Sequence, residues 1–210
     1  MVYYFTSDAS GTPHTIYMGR DKFENELLIK HGWDEDVWFH AGKLSSAHVY
    51  LRLETGQKWD EIDELLIQDL GQLTKANSIA GNKLDNMVVI YTPWSNLKKS
   101  GDMDVGQVSF HNHKLVKRFV VPTRLNDIVN RLNKTRAELD PDFAQEKLDH
   151  EIAIRRAEKE QMNIERKEQE RYIAGRRKEK EQWDYSHVIK EEAMYSNKGV
   201  SVEELEDDFM

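Results

Sequence analysis

The chain has 210 residues, enough for one domain with an extension, and a net charge of −8 that is unevenly distributed. It contains no cysteine, which excludes disulfides, thiolate metal sites and cysteine nucleophiles. Residues 1–136 hold 17 basic and 17 acidic residues, so residues 137–210 carry the whole net charge. No signal peptide and no membrane-spanning window is visible in the sequence. We expect a cytoplasmic protein, with a membrane-associated one as the alternative.

Short strands and helices are predicted to follow one another along the first 136 residues. The pattern predicts strands at 2–6, 15–19, 36–41, 47–53 and 87–91, and helices that begin near Asp21, Asp60 and Thr123. Residues 87–91 form an apolar, β-branched run that is typical of a buried strand. Residues 105–111 and 115–121 are predicted to form a hairpin. The predicted class is α+β, with a mixed sheet and packed helices, followed by a long charged C-terminal helix.

The composition changes after Pro141. Residues 144–183 contain no proline, one glycine and nearly equal numbers of basic and acidic residues, which predicts one long solvated helix. Weak coiled-coil pairing is the alternative, because only five of its heptad seam positions are apolar: Leu148, Ile152, Met162, Ile173 and Trp183. The acidic tail, 184–210, is predicted to be disordered. The predicted segments are therefore a domain at 1–137, a helix at 138–183 and a tail at 184–210.

Two histidines lie on adjacent predicted strands. His40 ends the run 36–40, and His48 follows Ser45 and Ser46 in the turn to the next strand. These side chains could hydrogen-bond phosphate or sugar, act as an acid–base pair, or bind a metal together with Asp36. They could also be ordinary polar residues at a strand edge. No third ligand has a recognisable spacing, so we predict no metal, no cofactor and no catalytic residue.

A tryptophan is followed by two lysines in the predicted loop 92–99. An aromatic ring beside basic residues offers a stacking surface and phosphate neutralisation, which single-stranded or looped nucleic acid needs. A tryptophan packed back onto the core is the alternative for Trp94, and a role in complementing the helix dipole is the alternative for Lys75. The window 98–124 has a local charge of +4. The predicted nucleic-acid contacts are His40, Ser45, Ser46, His48, Lys75, Asn77, Trp94, Asn96, Lys98 and Lys99.

These clusters, in this order, resemble the NFACT-R domain family. The family pattern has an acidic-x-aromatic-aromatic-His strand, a Ser-x-His-Val strand, a helix ending in Ala-x-Ser, a Tyr-Thr strand, a basic loop and a Gly-x-Val strand. The matching residues here are 36–40, 46–49, 76–78, 91–92, 98–99 and 106–108. The resemblance covers about residues 1–136.

The resemblance implies nucleic-acid binding without catalysis. We therefore predict a non-enzymatic adaptor that binds single-stranded or looped RNA or DNA, and that contacts a protein partner through residues 144–183. Association with ribosomes, or with translation more broadly, is a further implication of the resemblance. One alternative, which the resemblance also suggests, is a cell-surface sensor of extracellular DNA. The others are a small hydrolase or metal enzyme that uses His40 and His48, and a structural coiled-coil protein. The sensor requires a membrane placement that hydropathy does not support.

Overall fold

The computed structural model describes residues 1–183, which form nine strands and four helices. The strands are β1 (Val2–Ser7), β2 (His14–Gly19), β3 (Asp36–Ala41), β4 (Val49–Arg52), β5 (Met87–Pro93), β6 (Leu97–Lys98), β7 (Ser109–Phe110), β8 (Lys117–Val121) and β9 (Ala137–Leu139). The helices are α1 (Lys22–His31), α2 (Glu64–Ala76), α3 (Asn126–Lys134) and α4 (Phe143–Trp183). The acidic tail predicted at 184–210 lies outside the described residues.

Seven strands form one sheet in the order β8-β5-β3-β4-β2-β1-β9, with antiparallel neighbours, and β6 pairs with β7 separately. Successive side chains of a strand point to opposite faces, so each strand contributes to two different environments. On one face, which we call the core face, residues such as Val37 and Leu51 pack against Leu66 and Leu70 of α2. The predicted α+β class and the long charged C-terminal helix are confirmed.

The opposite side of the sheet, which we call the outer face, carries a smaller cluster built around Tyr17, Trp38 and Tyr50. Leu28 of α1 covers this cluster, together with partly buried residues of the segment 94–110 and Phe143 of α4. The cover ends before the β8 edge. There Val88 is 42% exposed and Val120 is 53% exposed. One strip of the sheet is therefore open on its outer face.

Side-chain caps place the beginnings of two helices. The Asp21 carboxylate accepts hydrogen bonds from the backbone N–H groups of Phe23 and Glu24, which confirms the predicted start of α1. Asp63 caps α2 in the same way, so this helix begins later than the predicted Asp60. The predicted cap at Thr123 is wrong. Its carbonyl instead accepts a hydrogen bond from the side chain of Gln72, and α3 begins at Asn126.

The predicted hairpin between 105–111 and 115–121 is also wrong. β7 pairs with β6, whereas β8 pairs with β5. A 3-10 turn at His113–Leu115, capped by Asn112, separates β7 from β8 and changes the direction of the chain. The pairing with β5 places Val121 opposite Met87 and puts both in the core, so burial on the core face favours this partner.

The compact unit runs from Met1 to Ile152, so it includes the first turns of α4. Strand β9, which the sequence did not predict, adds an edge to this unit by pairing with β1. Whether a chain ending at residue 137 folds alone stays a prediction. From Ala153 to Trp183 the helix continues as a separate unit, and none of the residues of α4 is buried. Ion pairs along it, such as Arg177–Glu181, agree with a solvated helix.

Candidate nucleic-acid interface

The two histidines of the sequence prediction face each other on the outer face of the sheet. Strands β3 and β4 pair with Phe39 opposite Val49, so His40 and His48 meet one position beyond this pair. Their ring centroids are 4.9 Å apart and the rings are nearly perpendicular. Trp38, two residues before His40 on the same face, stacks on His40 at 5.3 Å with nearly parallel planes. Adjacent strands have thus brought three aromatic nitrogen heterocycles together.

His48 is buried and neutral. The Trp38 indole Nε1–H donates a hydrogen bond of 3.0 Å to its Nδ1, which must therefore be the unprotonated nitrogen of the ring. Burial lowers the pKa of His48 to about 3, and electrostatic interactions with His40 and Lys99 act in the same direction. At neutral pH the ring consequently carries its single proton on Nε2.

His40 is neutral as well, but with the opposite tautomer. Its Nδ1 lies 2.7 Å from the carbonyl oxygen of Ala41, and a carbonyl only accepts, so Nδ1 carries the proton. Burial lowers the pKa of His40, although the hydrogen bond to the Ala41 carbonyl and the nearby backbone of Ser46 oppose that effect. The second nitrogen, Nε2, is then an acceptor. The two rings present one donor and one acceptor, without a charge.

A cleft of about 320 Å³ lies beside these rings. Trp38, His40 and His48 form one side, and Ile90 and Phe110 add apolar surface. The exposed Lys43 stands at the same cleft. A planar, uncharged and hydrogen-bonding group suits this combination of aromatic walls and neutral polar atoms.

The cleft adjoins a larger groove of about 770 Å³ over β5 and β8. Both share Lys43, Ile90 and Phe110 in their linings. The groove extends this surface along Val88 and Val120 to Arg118. The prediction that 87–91 is a buried strand holds for one of its faces only, because Val88 and Ile90 point to the open outer face.

The predicted contacts on the turn and helix end are engaged within the protein. The Ser46 hydroxyl accepts from the Ala41 N–H at 3.0 Å and donates to the Ala47 carbonyl at 3.1 Å. The exposed Ser45 accepts a hydrogen bond from Ser78 at its backbone carbonyl. These bonds position the turn that leads into His48.

Lys75 and Asn77 complete the end of α2. Lys75 is buried, and its ammonium group donates to the carbonyl of Leu84. The Asn77 amide donates to the Leu73 carbonyl at 2.9 Å and so caps the helix. A role for these two residues in nucleic-acid contact stays a prediction that their internal bonds do not favour.

Trp94 packs back onto the domain, as the alternative in the sequence prediction had it. Its indole N–H donates to the carbonyl of Ile29 at 2.9 Å, and a side chain at Gly32 would collide with the ring at 2.3 Å. The ammonium of Lys147 in α4 lies 4.2 Å from the centre of the ring. Little of the indole is left for a stacked base, so stacking on Trp94 stays a prediction with weaker support.

The other three predicted contacts in the loop 92–99 are Asn96, Lys98 and Lys99, and they have different roles. Asn96 is buried and bonds Thr92 and Asn112, which holds the loop together. Lys99 forms an ion pair with Glu26 at 3.0 Å and donates to two backbone carbonyls of the segment 104–107. Lys98 is exposed on β6. Of the two adjacent lysines, Lys98 is the one that is open to a phosphate.

A metal site formed by Asp36 and the two histidines does not assemble. Asp36 is at the other end of β3, where its carboxylate accepts hydrogen bonds from the Tyr17 hydroxyl, the Trp33 N–H and Arg52. Within residues 1–183 no group of three or more His, Cys, Asp or Glu side chains is placed to hold a metal ion. None of the helices in this part of the chain has the length and apolar character needed to span a membrane.

Residues missed by the sequence analysis line much of the cleft and the groove: Trp38, Lys43, Ile90, Phe110 and Arg118. The alternation of Val88 and Ile90 with the buried Val89 could have revealed the open face of β5 only if the cover over that face had been known. Arg118 belongs to the basic window that the sequence analysis identified as a whole. The signal was therefore a regional charge rather than a residue pattern.

Comparisons with known proteins agree on one family. A family model described as the NFACT protein RNA binding domain matches residues 1–112. Coiled-coil domain-containing protein 25 of Mus musculus is 49% identical over 198 residues, which cover 94% of this chain and 95% of the relative. The protein of the same name from Danio rerio is 58% identical over 147 residues, which cover 70% of this chain and 71% of the relative.

A solved structure shows the same fold at low sequence identity. The C-terminal part of the fibronectin/fibrinogen-binding protein from Streptococcus suis matches with a TM-score of 0.50 and 19% identity. The match covers 64% of this chain and 48% of that chain, and it carries information on the fold alone. The family model and the curated relatives show that the chain belongs to the NFACT protein RNA binding domain family.

Proposed function

We propose that the chain is a non-enzymatic nucleic-acid-binding adaptor, whose compact unit binds an unpaired strand along the open strip of the outer face. One observation carries the proposal. The neutral aromatic cleft at His40 and His48 adjoins an apolar groove that is flanked by Lys43 and Arg118. The family description, an RNA binding domain, supports RNA as the ligand.

The strip combines the two interactions that a single strand requires. The apolar side chains of Val88, Ile90 and Val120 offer a floor for bases, and Phe110 in the same lining offers an aromatic ring, whose contact with a base contributes about 1–3 kcal/mol. Lys43 and Arg118 offer positive charge to the phosphates, opposed in the same lining by Asp85. An A-form duplex keeps its bases stacked and its major groove narrow, so it cannot use the floor.

The histidine pair is poorly suited to acid–base catalysis. A general acid or base works best when its pKa lies near the working pH. The pKa of His48 is lowered to about 3 by burial, and burial also lowers that of His40. Both rings therefore keep one fixed proton at neutral pH, which favours binding over proton transfer.

The adaptor part of the proposal rests on α4. Beyond the compact unit this helix keeps several large apolar side chains exposed, among them Met162, Ile164, Tyr172 and Ile173. A solvated helix with such residues offers a surface to a protein partner or to a second helix. We propose that a protein partner binds there while the compact unit holds the nucleic acid.

Titration of a short single-stranded RNA at several salt concentrations tests the interface. Replacing Lys43 and Arg118 together by glutamine should weaken binding and lower the slope of log K against log salt by roughly 1–2, since each phosphate contact contributes about 0.7–0.9. Lys134→Gln is the matched control, because this exposed lysine belongs to α3 on the core side of the sheet. An unchanged slope in the double variant, or an equal loss in the control, would remove the strip from the interface.

A further inference from the structure

The hydrogen bonds of His40 and His48 leave each ring with a different free nitrogen. Each ring uses its Nδ1 inside the protein: that of His48 accepts from Trp38, and that of His40 donates to Ala41. The two hydrogen bonds run in opposite directions, so the free nitrogens differ. His48 offers an Nε2–H donor and His40 offers a bare Nε2 acceptor, from rings whose centroids are 4.9 Å apart.

We infer that this cleft takes up one unpaired nucleobase and recognises its edge, with the Nε2–H of His48 donating to the base and the Nε2 of His40 accepting from it. The inference rests on the proposed function and names the part of the nucleic acid that enters the cleft. It replaces the predicted contact of the two histidines with phosphate or sugar by a contact with the base.

The chemistry of the four bases matches a neutral donor beside a neutral acceptor. Adenine and cytosine display an amino group next to a ring nitrogen, and guanine and uracil display a ring N–H next to a carbonyl. Each edge can therefore accept from His48 and donate to His40. In a duplex these edges are already paired, so only an unpaired base can use them.

A phosphate group matches the pair badly. It presents only acceptor oxygens and a negative charge, so it could accept from His48 but would face the lone pair of His40. Protonation of the rings would remove this conflict, but burial lowers the pKa of both histidines and keeps them neutral. The uncharged state of the pair selects against a phosphate.

The surroundings fit a flat ring with a charged backbone outside. The cleft holds about 320 Å³, and Phe110 and Ile90 supply apolar surface in its lining. The exposed Lys43 lines both the cleft and the adjoining groove, where the phosphates on either side of the inserted base would lie. The same arrangement explains why a base, rather than a larger ligand, is the group expected to enter.

The tautomers can be tested without any ligand. In the full chain at pH 7, nitrogen chemical shifts of the histidine rings should show a proton on Nε2 of His48 and on Nδ1 of His40. Two rings with the same tautomer, or a doubly protonated ring, would overturn the inference before any binding experiment.

Asparagine variants then separate base recognition from strand binding. Asn places its amide where the Nδ1 of histidine lies, so His48→Asn keeps an acceptor for Trp38 and His40→Asn keeps a donor for Ala41, while each removes the free nitrogen. Each variant should bind a single-stranded RNA with intact bases roughly five- to tenfold more weakly, the loss expected for one hydrogen bond of about 1–1.5 kcal/mol. A strand of the same length and charge, built from abasic sugar units, should bind wild type and variants alike.

The outcomes distinguish this inference from the proposed function. If the variants lose equal affinity for the intact and the abasic strand, or lose none, the cleft does not hold a base, while salt-dependent binding along the strip still stands. If neither strand binds to the wild-type chain, the proposed function fails and the inference fails with it. A duplex that binds as tightly as the single strand and responds equally to the variants would also overturn the inference.

Discussion

The two faces of the seven-stranded sheet are built from the same strands but in different ways. On the core face, α2 and α3 cover aliphatic residues such as Val37, Leu51 and Val89, and the contacts are apolar. On the outer face, aromatic rings with polar atoms predominate, among them Tyr17 and Trp38, and several separate segments share the cover. The alternation of side chains along each strand lets one strand serve both purposes.

The difference indicates which face contributes stability that is independent of pH and which face contributes stability that changes with pH. Apolar burial on the core face does not change with protonation. The outer face buries titratable rings in their neutral state, and Tyr50 even keeps a hydroxyl without a hydrogen-bond partner within residues 1–183. Stability that comes from the outer face should therefore respond to pH, to loss of covering segments and to single charges, in decreasing order of effect.

The largest effect is expected from acid acting on His48. Its pKa rises from about 3 in the folded chain to about 6.5 on unfolding, so the unfolded state binds more protons between these values. The contribution of neutral His48 to the free energy of unfolding should be fully present above pH 6.5. As the pH is lowered, this contribution should fall by up to about 1.4 kcal/mol per pH unit. Between pH 7 and pH 5, the wild type should lose about 2 kcal/mol of unfolding free energy through His48, and His48→Asn should not show this loss.

Urea unfolding of the wild-type chain and of His48→Asn at the two pH values measures this difference. The variant keeps an acceptor for the Trp38 indole but has no titratable ring at this position, so its stability is expected to fall less between pH 7 and pH 5 than that of the wild type. An identical pH response of the two chains would show that His48 is charged or exposed in the folded state.

A smaller effect is expected when the cover supplied by α4 is removed. His150 stacks on Trp33 with ring centroids 3.7 Å apart and lies 3.0 Å from Glu35, while Phe143 packs against the outer-face cluster. Aromatic and cation–π contacts of this kind contribute about 0.5–1.5 kcal/mol each. A chain ending at residue 139 should thus unfold cooperatively but be less stable by about 1–2 kcal/mol than one ending at residue 152.

Thermal and urea unfolding of chains ending at 139, 152 and 183 provide the comparison. The last two should agree, because the compact unit ends at Ile152. If the chain ending at 139 is unfolded, the predicted domain boundary at 137 fails. If it is as stable as the chain ending at 152, the first turns of α4 do not stabilise the outer face.

The strands and caps that depend on local patterns could be predicted from the sequence. The predicted bounds of β3, 36–41, agree with the structure, and Asp21 marked the beginning of α1. The errors concern features that distant partners decide. β8 pairs with β5 rather than with its sequence neighbour, and β9 has only exposed residues, so no apolar alternation marks it.

The candidate site divides in the same way. Adjacent strands brought His40 and His48 together as expected, since a pairing register follows from the strand pattern. The burial of Lys75 depends on how the chain after α2 folds back to Leu84, and the packing of Trp94 depends on the remote Gly32, so residue type and spacing could not show them. The tautomers of the histidines likewise depend on a tryptophan and a backbone carbonyl whose positions only the fold determines.

The smallest effect should separate two neighbouring lysines that the sequence could not tell apart. Lys98→Gln and Lys99→Gln remove the same charge from adjacent positions. Lys99 ion-pairs with Glu26 and donates to two carbonyls, so its loss should reduce stability by about 0.5–1.5 kcal/mol and leave the salt slope of RNA binding unchanged. Lys98 is exposed, and its strand pairs with the one that carries Phe110, so its loss should lower the slope by about 0.7–0.9 without a change in stability. Both variants are measured by unfolding and by salt titration, and each variant serves as the control for the other. Two variants with the same slope and the same stability would mean that the ion pair to Glu26 does not hold Lys99 away from the nucleic acid.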